Sequence, residues 1–431
     1  MGHTSEGPDV FDPRIYAEGI PHERFRALRD HAPVAWQEEP EVLGWPAGPG
    51  FWAVTRHADV ITVLKDPVTY SSHLGATQIR DPDPADLPFI RRMMLNQDPL
   101  PGPPSGSGGG GPQGHGRLRR LVSRAFTPGR IERFAVTARE RARELLRTAF
   151  AGGGEVDLVR TVTDDYALLN LTDLLGVPPG DRALLHAWTE RIIAYQDPDE
   201  PPVRDVEGRP VNPRSPGQLA EMFAYAQELA AHKRVHPADD VMSVLASSEL
   251  VDAELEMFFF LLTVAGNDTV RAAAPGGVLA LAGNPGEQRR LWRGEISLDA
   301  AVDELLRVHP PVLSFRRTAT RDTELAGRAV GAGDKVVVFH ASVNHDERVF
   351  VDPHRLDLGR APNPHVSFGD GPHVCLGAHF ARLQLRVFYE EMRAACGGVT
   401  LVGRPRRLVS NFVNGIKSLP VRPLGPSVPP A

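Results

Sequence analysis

The sequence predicts a mainly α-helical protein with a small β portion. Helical hydrophobic patterns cover most of the chain between residues 117 and 308. Short strand-like segments with glycine turns occur near residue 51 and between residues 317 and 339. The 431 residues show no internal repeat and no clear domain boundary, so we expect one domain over residues 1–431.

The individual elements follow from local patterns along the chain. Residues 51–55 alternate as a strand and precede a short helical run that ends at Asp66, and two further strands are expected at Thr323–Leu325 and Lys335–Phe339. Pro275 lies inside the longest helix and is expected to kink or break it. Helices are predicted over residues 117–126, 131–151, most of 158–235 apart from a proline-rich loop at 198–216, 250–281 and 298–308.

Composition and charge exclude several classes of protein. Two cysteines are too few for a disulfide framework and fit a reducing compartment. A net charge of −6 argues against nucleic acid as a partner. No signal peptide and no run of membrane-spanning length is visible. We therefore expect a cytoplasmic protein without a membrane anchor.

A low-complexity segment interrupts the first part of the chain. Residues 99–114 are rich in glycine and proline, a composition typical of flexible linkers. We predict a flexible insertion within the domain at this point.

Cys375 stands in a pattern that suits a metal-binding thiolate. Gly369 and Gly371 precede it, Gly377 follows it, and a helical run begins directly afterwards. The glycines permit a tight hairpin whose backbone lies close to a flat cofactor, and a helix N-terminus favours the thiolate. A thiolate is the axial ligand that pushes electron density from iron toward bound oxygen. The other cysteine, Cys396, is expected to be a small buried hydrophobic residue.

Residues 368–377, F-G-D-G-P-H-V-C-L-G, carry a resemblance to a known family. They resemble the haem-binding signature of the cytochrome P-450 family, with every fixed position filled. The similarity covers nearly the whole chain and implies the cytochrome P-450 fold with haem b as cofactor. It implies that Cys375 ligates the iron and that Phe368, Gly369 and Gly377 help to bind the haem. The sequence is similar to the sequences of soluble bacterial members that oxidise sterols, terpenoids and branched lipids.

A second motif, A-G-N-D-T at residues 265–269, lies in the predicted long helix. A glycine costs a helix up to about 1 kcal/mol relative to alanine, and Thr269 can bond back to a backbone carbonyl. We therefore expect a groove for dioxygen and water beside Ala265 and Gly266. The segment resembles the family's oxygen-activating helix, which implies that Asp268 and Thr269 are catalytic and deliver protons.

The resemblance also implies ligands for the two haem propionates. Residues 115–119 resemble the family's H-x-x-x-R, and residues 317–322 resemble its R-x-A-x-x-D. Positively charged and N–H donors are what carboxylates bind best. The implied donors are His115, Arg119, Arg317 and His373.

Glu304 and Arg307 are three residues apart, on one face of a predicted helix. They resemble the family's E-x-x-R pair, and residues 353–356, P-H-R-L, stand where the family often has P-E-R-F. Arg355 is therefore predicted as the third member of a buried network that holds the cysteine loop.

The resemblance implies a haem-thiolate monooxygenase. Such an enzyme inserts one oxygen atom from O2 into an apolar small molecule by hydroxylation or epoxidation, and a terpenoid, a steroid, a lipid or a secondary metabolite would be a suitable substrate. The implied electron donors are a ferredoxin and an NAD(P)H-dependent ferredoxin reductase, and the protein is expected to be a monomer. Two alternatives stay open: a haem-thiolate peroxygenase, which typically lacks the acid–alcohol pair, and a non-catalytic haem-binding protein.

Two surfaces are predicted around this centre. The substrate pocket is expected to be lined by residues 264–266, 311–314, 74–90 and 412–413. Basic residues cluster on two helices near the cysteine and either steer an acidic electron donor or form an ordinary charged surface. They are Arg117, Arg120, Arg124, Arg382 and Arg386.

Overall fold

The computed structural model describes residues 4–99, 114–193, 196–199, 203–204 and 211–425. In this part of the chain helices predominate and short strands form four small sheets. The predicted mainly α architecture with a small β portion is confirmed. Apart from its two ends, the predicted insertion at 99–114 lies outside the described residues.

The helices occur where the sequence shows helical hydrophobic patterns. The helices predicted at 117–126, 131–151 and 298–308 correspond to the fourth, fifth and twelfth α-helices in chain order. Among the described residues, no helix has both the length and the apolarity needed to cross a bilayer. The helices are α1 (His22–His31), α2 (His57–Lys65), α3 (Leu87–Ile90), α4 (His115–Ser123), α5 (Pro128–Phe150), α6 (Asp164–Leu175), α7 (Arg182–Ile193), α8 (Pro216–Val235), α9 (Val241–Ala246), α10 (Asp252–Gly283), α11 (Pro285–Trp292), α12 (Leu298–Val308), α13 (His340–Val343) and α14 (Ala378–Ala395).

The strands form one sheet of five strands and three smaller sheets. In the largest sheet the order is β1-β2-β8-β5-β3, and β2 pairs with β8 in parallel while the other pairs are antiparallel. The predicted strands near residue 51, at Thr323–Leu325 and at Lys335–Phe339 correspond to β2, β6 and β8. The strands are β1 (Val34–Gln37), β2 (Phe51–Val54), β3 (Tyr70–Ser71), β4 (Val156–Asp157), β5 (Ser314–Ala319), β6 (Thr323–Leu325), β7 (Arg328–Val330), β8 (Lys335–Phe339), β9 (Val399–Leu401), β10 (Arg406–Arg407), β11 (Ile416–Ser418) and β12 (Pro420–Pro423).

Helix α10 is the central element of the helical part. It packs against α6, α7, α8, α12 and α14. Its buried residues, among them the run Phe258, Phe259 and Phe260, point in several directions rather than along one stripe. A helix that is apolar around its circumference is stable only when surrounded by protein, so the sequence of α10 dictates its central position.

The sequence predicts that Pro275 kinks or breaks α10, and the structure shows that the helix is not broken there. The helix continues to Gly283 although proline lacks the N–H that would bond to the carbonyl of Arg271. Neighbouring helices hold this turn in place: Tyr389 on α14 packs on Gly277, and its hydroxyl donates to the carbonyl of Ala274 at 3.1 Å. Tertiary packing therefore overrides the local preference of proline.

Replacing Gly277 by alanine should destabilise the protein. A Cβ at this position would overlap the hydroxyl of Tyr389, and overpacking of this kind costs about 1–3 kcal/mol. Urea unfolding should show that loss in the Gly277→Ala variant. Gly283→Ala, on the same helix with nothing within 4 Å of the added Cβ, is the matched control and should be neutral or slightly stabilising. Equal stability of both variants would contradict the packing role of Gly277.

Candidate active site

A cavity of about 740 Å³ lies between α10 and the segment that leads into α14. All four predicted lining segments contribute to it, although Leu313, Ser314 and several residues of the segment 74–90, namely 74, 75, 79 and 85–88, do not line it. Charged groups, including Asp81 and Asp83, line another part of the wall. Other lining side chains are mainly apolar and include Phe89, Met93, Leu174, Met257, Phe258, Phe260, Leu262, Val312, Phe315 and Phe412. A large cavity whose lining is mainly apolar suits an apolar ligand.

Cys375 lies in the wall of this cavity, at the end of a hairpin that the glycines make possible. Gly369 and Gly371 both have positive φ, +71° and +67°, and a Cβ on Gly371 would overlap the carbonyl of Leu64 in α2. The Cys375 N–H donates to the carbonyl of Phe368 at 2.8 Å and closes the hairpin. The hairpin is thus fixed from both sides, and the sulfur is held at the cavity surface.

The protein groups around Cys375 do not by themselves favour the thiolate. Burial raises the pKa of the Cys375 thiol, while the Gly377 backbone N–H, Arg119 and Arg382 lower it by less. The predicted helix-terminus effect is therefore present but is outweighed by burial. A coordinated metal cation deprotonates a thiol outright, so these surroundings suit a sulfur that acquires its charge on binding a metal. Cys396, by contrast, is buried as predicted and donates to the carbonyl of Met392.

Histidines with unpartnered ring nitrogens line the same cavity. The rings of His115 and His373 lie 4.5 Å apart, and His115 Nε2 and His373 Nδ1 are buried without hydrogen-bond partners among the described residues. The other nitrogen of His373, Nε2, is 3.4 Å from the hydroxyl of Ser72. Buried polar atoms are seldom left unsatisfied. These nitrogens therefore fit a bound group that carries acceptor atoms.

Two arginines stand beside these histidines. Arg317 is buried on β5, where its guanidinium donates to the carbonyl of Arg316, and burial lowers its pKa to about 10. Arg119 donates to the carbonyl of Val374 at 2.8 Å, directly beside the cysteine. The structure thus brings all four predicted propionate donors to one cavity. The N–H groups of these four residues suit a bound group with two negative charges, and a haem carries two carboxylates.

His340 was missed by the sequence-based reasoning. It is fully buried at the start of α13, lines the cavity, and has no hydrogen-bond partner for either ring nitrogen among the described residues. Burial and, to a smaller extent, the charges of Arg317 and His365 lower its pKa to about 3. No motif singles out His340, and only its position directly after the buried strand β8 could have drawn attention to it.

Asp268 and Thr269 lie in the opposite wall of the cavity, on α10. Asp268 is buried and its Oδ2 has no hydrogen-bond partner among the described residues. Burial raises the pKa of Asp268 well above its usual value. The nearby charge of Arg271 lowers it by less, and that guanidinium is itself paired with Asp164 and Glu190. Burial therefore favours the protonated form of this carboxyl, in which it can donate.

The hydroxyl of Thr269 donates to the carbonyl of Ala265 at 2.7 Å, as the sequence predicted. Gly266 lies one residue further along, and the closest neighbour of a Cβ there would be Leu171 on α6, at 2.8 Å. Ala265 and Gly266 both line the cavity. The glycine thus leaves room for the Leu171 side chain between α6 and α10, in addition to any role toward a ligand.

The buried network beneath the cysteine loop contains Arg360 where Arg355 was predicted. Glu304 and Arg307 are fully buried and form two hydrogen bonds of 2.8 Å. Arg360 Nε lies 3.2 and 3.1 Å from the two oxygens of Glu304. Arg355 is exposed and contributes only its carbonyl, which accepts from Arg307 and Arg360. The prediction of Arg355 was wrong because alignment to a four-residue motif does not show which side chain turns inward.

This network reaches the cysteine loop through backbone contacts. Arg307 Nη1 donates to the carbonyls of Asn344 and Pro353, both at 2.8 Å. The Asn344 side chain in turn accepts from the N–H of Val366 and donates to the hydroxyl of Ser367, just before the hairpin. Arg307 and Arg360 therefore order the backbone that leads into residues 368–377.

Comparison with known proteins shows the family to which this chain belongs. Residues 225–392 match the family model described as cytochrome P-450. The chain is 38% identical over 406 residues to a methyl-branched lipid omega-hydroxylase of Mycobacterium tuberculosis, covering 92% of this chain and 90% of that protein. It is 35% identical over 427 residues to a steroid C26-monooxygenase of Rhodococcus jostii, covering 96% and 84%. A cytochrome P-450 of Mycobacterium marinum, solved in complex with pseudoionone, superposes with a TM-score of 0.83 at 34% identity, covering 97% of this chain and 99% of that one.

The chain is a member of the cytochrome P-450 family. It is accordingly a haem-thiolate monooxygenase that acts on apolar substrates, and its reaction uses O2 and electrons from redox partners. The donors and the sulfur at one cavity fit the haem that the family uses. Family membership favours this activity over the two alternatives that the sequence left open.

Removing Arg360 should weaken both the fold and haem retention. In Arg360→Ala the buried Glu304 keeps its pair with Arg307 but loses its hydrogen bonds to Arg360, and hydrogen bonds to charged groups contribute about 1.5–3 kcal/mol. Urea unfolding and the ratio of haem to protein after gel filtration measure the two effects. Arg355→Ala is the control and should change stability by less than about 0.5 kcal/mol, because the exposed side chain is removed but the carbonyl remains. A larger loss of stability in Arg355→Ala than in Arg360→Ala would instead support Arg355 as the third member of the network.

Proposed function

We propose that this protein hydroxylates an apolar lipid, of the steroid or methyl-branched type, with haem b bound at the cavity. One observation carries the proposal. A single large, mainly apolar cavity is lined by Cys375, by the four residues with N–H groups proposed to bind the propionates, and by the Asp268–Thr269 pair. The printed activities of two relatives, on a methyl-branched lipid and on a steroid, support this substrate class. The single-domain organisation over residues 1–431 remains our proposal as well.

Cys375 is proposed as the iron ligand, with Phe368, Gly369 and Gly377 shaping the loop that faces the haem. Gly377 is suited to this because a Cβ there would meet nothing within 4 Å, so its backbone borders open space. The haem supplies the oxidising chemistry when bound, and the protein supplies its position and its protons. The guanidinium of Arg382 lies 4.3 Å from the centre of the Phe368 ring and keeps that ring in place beneath the loop.

His115, Arg119, Arg317 and His373 are proposed to bind the two propionates. Burial lowers the pKa of His115 to about 4 and that of His373 to about 2, so both rings are neutral before the carboxylates arrive. Each neutral ring still offers one N–H donor, and the two arginines supply the positive charge. His340, beside Arg317, is available as a further donor.

Asp268 and Thr269 are proposed to deliver protons to the reacting oxygen. The buried, protonated carboxyl of Asp268 donates, and the hydroxyl of Thr269 accepts on its free lone pairs because its own proton is bonded to Ala265. The lining is mainly apolar, so positioned groups are needed to carry protons to the centre once a substrate fills the cavity.

The electron donor is proposed to be a ferredoxin reduced by an NAD(P)H-dependent ferredoxin reductase. The basic residues near the cysteine are only partly available for docking it. Arg117 is paired with Glu254 at 3.0 Å and Arg382 with Asp303 at 2.7 Å. We further propose that the protein is a monomer and works in the cytoplasm, which the reducing conditions implied by its two cysteines support.

Turnover tests the proposed function directly. Haem-loaded protein with ferredoxin, reductase, NADPH and isotopically labelled O2 should convert a methyl-branched fatty acid or a steroid to a hydroxylated product that carries one labelled oxygen atom. A terpenoid ketone is included in the panel as a third apolar class. Product formed with hydrogen peroxide but not with NADPH would indicate a peroxygenase. Ligand-induced spectral shifts without product under either condition would indicate a non-catalytic haem protein.

Replacing the proposed proton donor should slow turnover without weakening substrate binding. Asp268→Asn keeps the shape of the buried side chain but cannot release and regain a proton, so we expect kcat to fall about 100-fold.

Replacing the hydroxyl of Thr269 should uncouple NADPH use from product formation. Thr269→Val should raise the amount of NADPH consumed per molecule of product, whereas Thr269→Ser keeps the hydroxyl and is its matched control. Unchanged kcat in Asp268→Asn, or equal coupling in the two Thr269 variants, would contradict these roles.

A further inference from the structure

Three histidines meet on the far side of the Glu304–Arg307 network, away from the cavity described above. His22 is the first residue of α1, His345 follows α13, and His354 lies in the next loop. Their rings are 4.3, 4.9 and 5.4 Å apart, centre to centre. One ring nitrogen of each lies within 4.8 Å of one ring nitrogen of each of the others.

We propose that His22, His345 and His354 form a binding site for a divalent transition-metal ion of the zinc type. Imidazole nitrogens are preferred ligands of zinc, copper and nickel. Three protein ligands leave a fourth position for water or a further ligand. Nitrogens on one zinc ion, each about 2.0–2.1 Å from it, lie roughly 3.3 Å apart. Two of the rings, those of His345 and His354, are stacked at 20° to each other, so side-chain rotation is needed for the three nitrogens to converge on the ion.

The hydrogen bonds around the cluster prepare its nitrogens for a metal. His345 is buried, and its Nδ1 lies 3.1 Å from the carbonyl of Ala341. A ring that donates from Nδ1 to a carbonyl presents the lone pair of Nε2, which is the usual outer-shell arrangement of a metal-binding histidine. His22 Nδ1 is buried with no hydrogen-bond partner among the described residues. A metal ion would satisfy this nitrogen.

The charges around the cluster are balanced. Arg29 is fully buried and binds both oxygens of Glu347, at 3.0 and 2.8 Å. Glu347 Oε1 lies 3.9 Å from His354 Nε2 and brings negative charge to the edge of the site. Arg307 also faces the cluster, but its charge is paired with Glu304.

The position of the site gives the metal a structural consequence. His345 and His354 directly follow Asn344 and Pro353, whose carbonyls accept from Arg307. His22 belongs to the N-terminal helix. A bound ion would therefore tie α1 to the segment that orders the cysteine loop, and it would stabilise the folded, haem-loaded protein.

Calorimetric titration of the haem-loaded protein with Zn²⁺ tests the proposal. The starting protein carries His232→Gln and His236→Gln, because those two rings lie one helical turn and 4.9 Å apart and could bind zinc on their own. We expect one zinc ion per chain and a higher unfolding temperature in its presence. His22→Gln and His354→Gln, which affect the more accessible members of the cluster, should each weaken binding roughly tenfold or more.

His31→Gln, an exposed position at the other end of α1, is the matched control and should leave zinc affinity unchanged. His345→Gln is a supporting variant only, because its burial makes a folding defect the simpler explanation of any loss. Absence of stoichiometric zinc binding in the starting protein would overturn the proposal. Equal affinity in His22→Gln, His354→Gln and His31→Gln would overturn it as well.

Discussion

The position of one sulfur atom is the constraint on which the rest of this structure depends. Cys375 must lie at the cavity surface, close to buried donors, and its hairpin must not move. The bond from the Cys375 N–H to the carbonyl of Phe368 closes the hairpin, and the close contact of Gly371 with α2 fixes it from outside. Burial opposes ionisation of the thiol, and an iron ion bound by the sulfur, as proposed above, would supply the compensating charge.

The buried ion pairs serve the same constraint. Isolated buried ion pairs contribute little net stability, since the cost of desolvation offsets the attraction. Glu304, Arg307 and Arg360 are better understood as a device for positioning backbone. The side-chain N–H groups of Arg307 and Arg360 donate largely to backbone carbonyls of the segment before the cysteine loop. A hydrophobic replacement of equal volume would fill the space but would leave those carbonyls without donors.

The two walls of the cavity have opposite chemical characters, and this division supports the proposed reaction. The wall that carries Cys375 holds histidine and arginine donors, which suit a dianionic group. The α10 wall holds apolar side chains and one buried carboxyl, Asp268, whose pKa is raised by burial. A substrate bound between them would be shielded from water, while protons would arrive through a defined group. The zinc-type site lies outside this cavity, behind Arg307, and affects it only through the backbone that the network orders.

Much of the fold and of the site was predictable because its signals are local. The helix Leu298–Val308 and the strand Lys335–Phe339 follow from hydrophobic period and were predicted with the observed bounds. Cys375 stood out because its neighbours require special backbone conformations. The errors have non-local causes. Pro275 is tolerated through packing against α12 and α14, and the role of Arg360 depends on which loop side chain turns inward.

His340 illustrates the remaining limit of sequence reasoning. Its importance comes from the burial of both ring nitrogens at a cavity formed by distant segments. No spacing rule in the chain connects it with Arg317 or with the cysteine. Such a residue is visible only when the surrounding elements are assembled in three dimensions.

The absorption spectrum of the reduced, carbon monoxide-bound protein tests the central claim most directly. A haem whose iron carries an anionic sulfur ligand shows a strongly red-shifted Soret band. The native protein and Cys396→Ser should show this band, and Cys375→Ser should bind haem but lack it. A red-shifted band that persists in Cys375→Ser, or that is absent from the native protein, would contradict the assignment of Cys375 as the iron ligand.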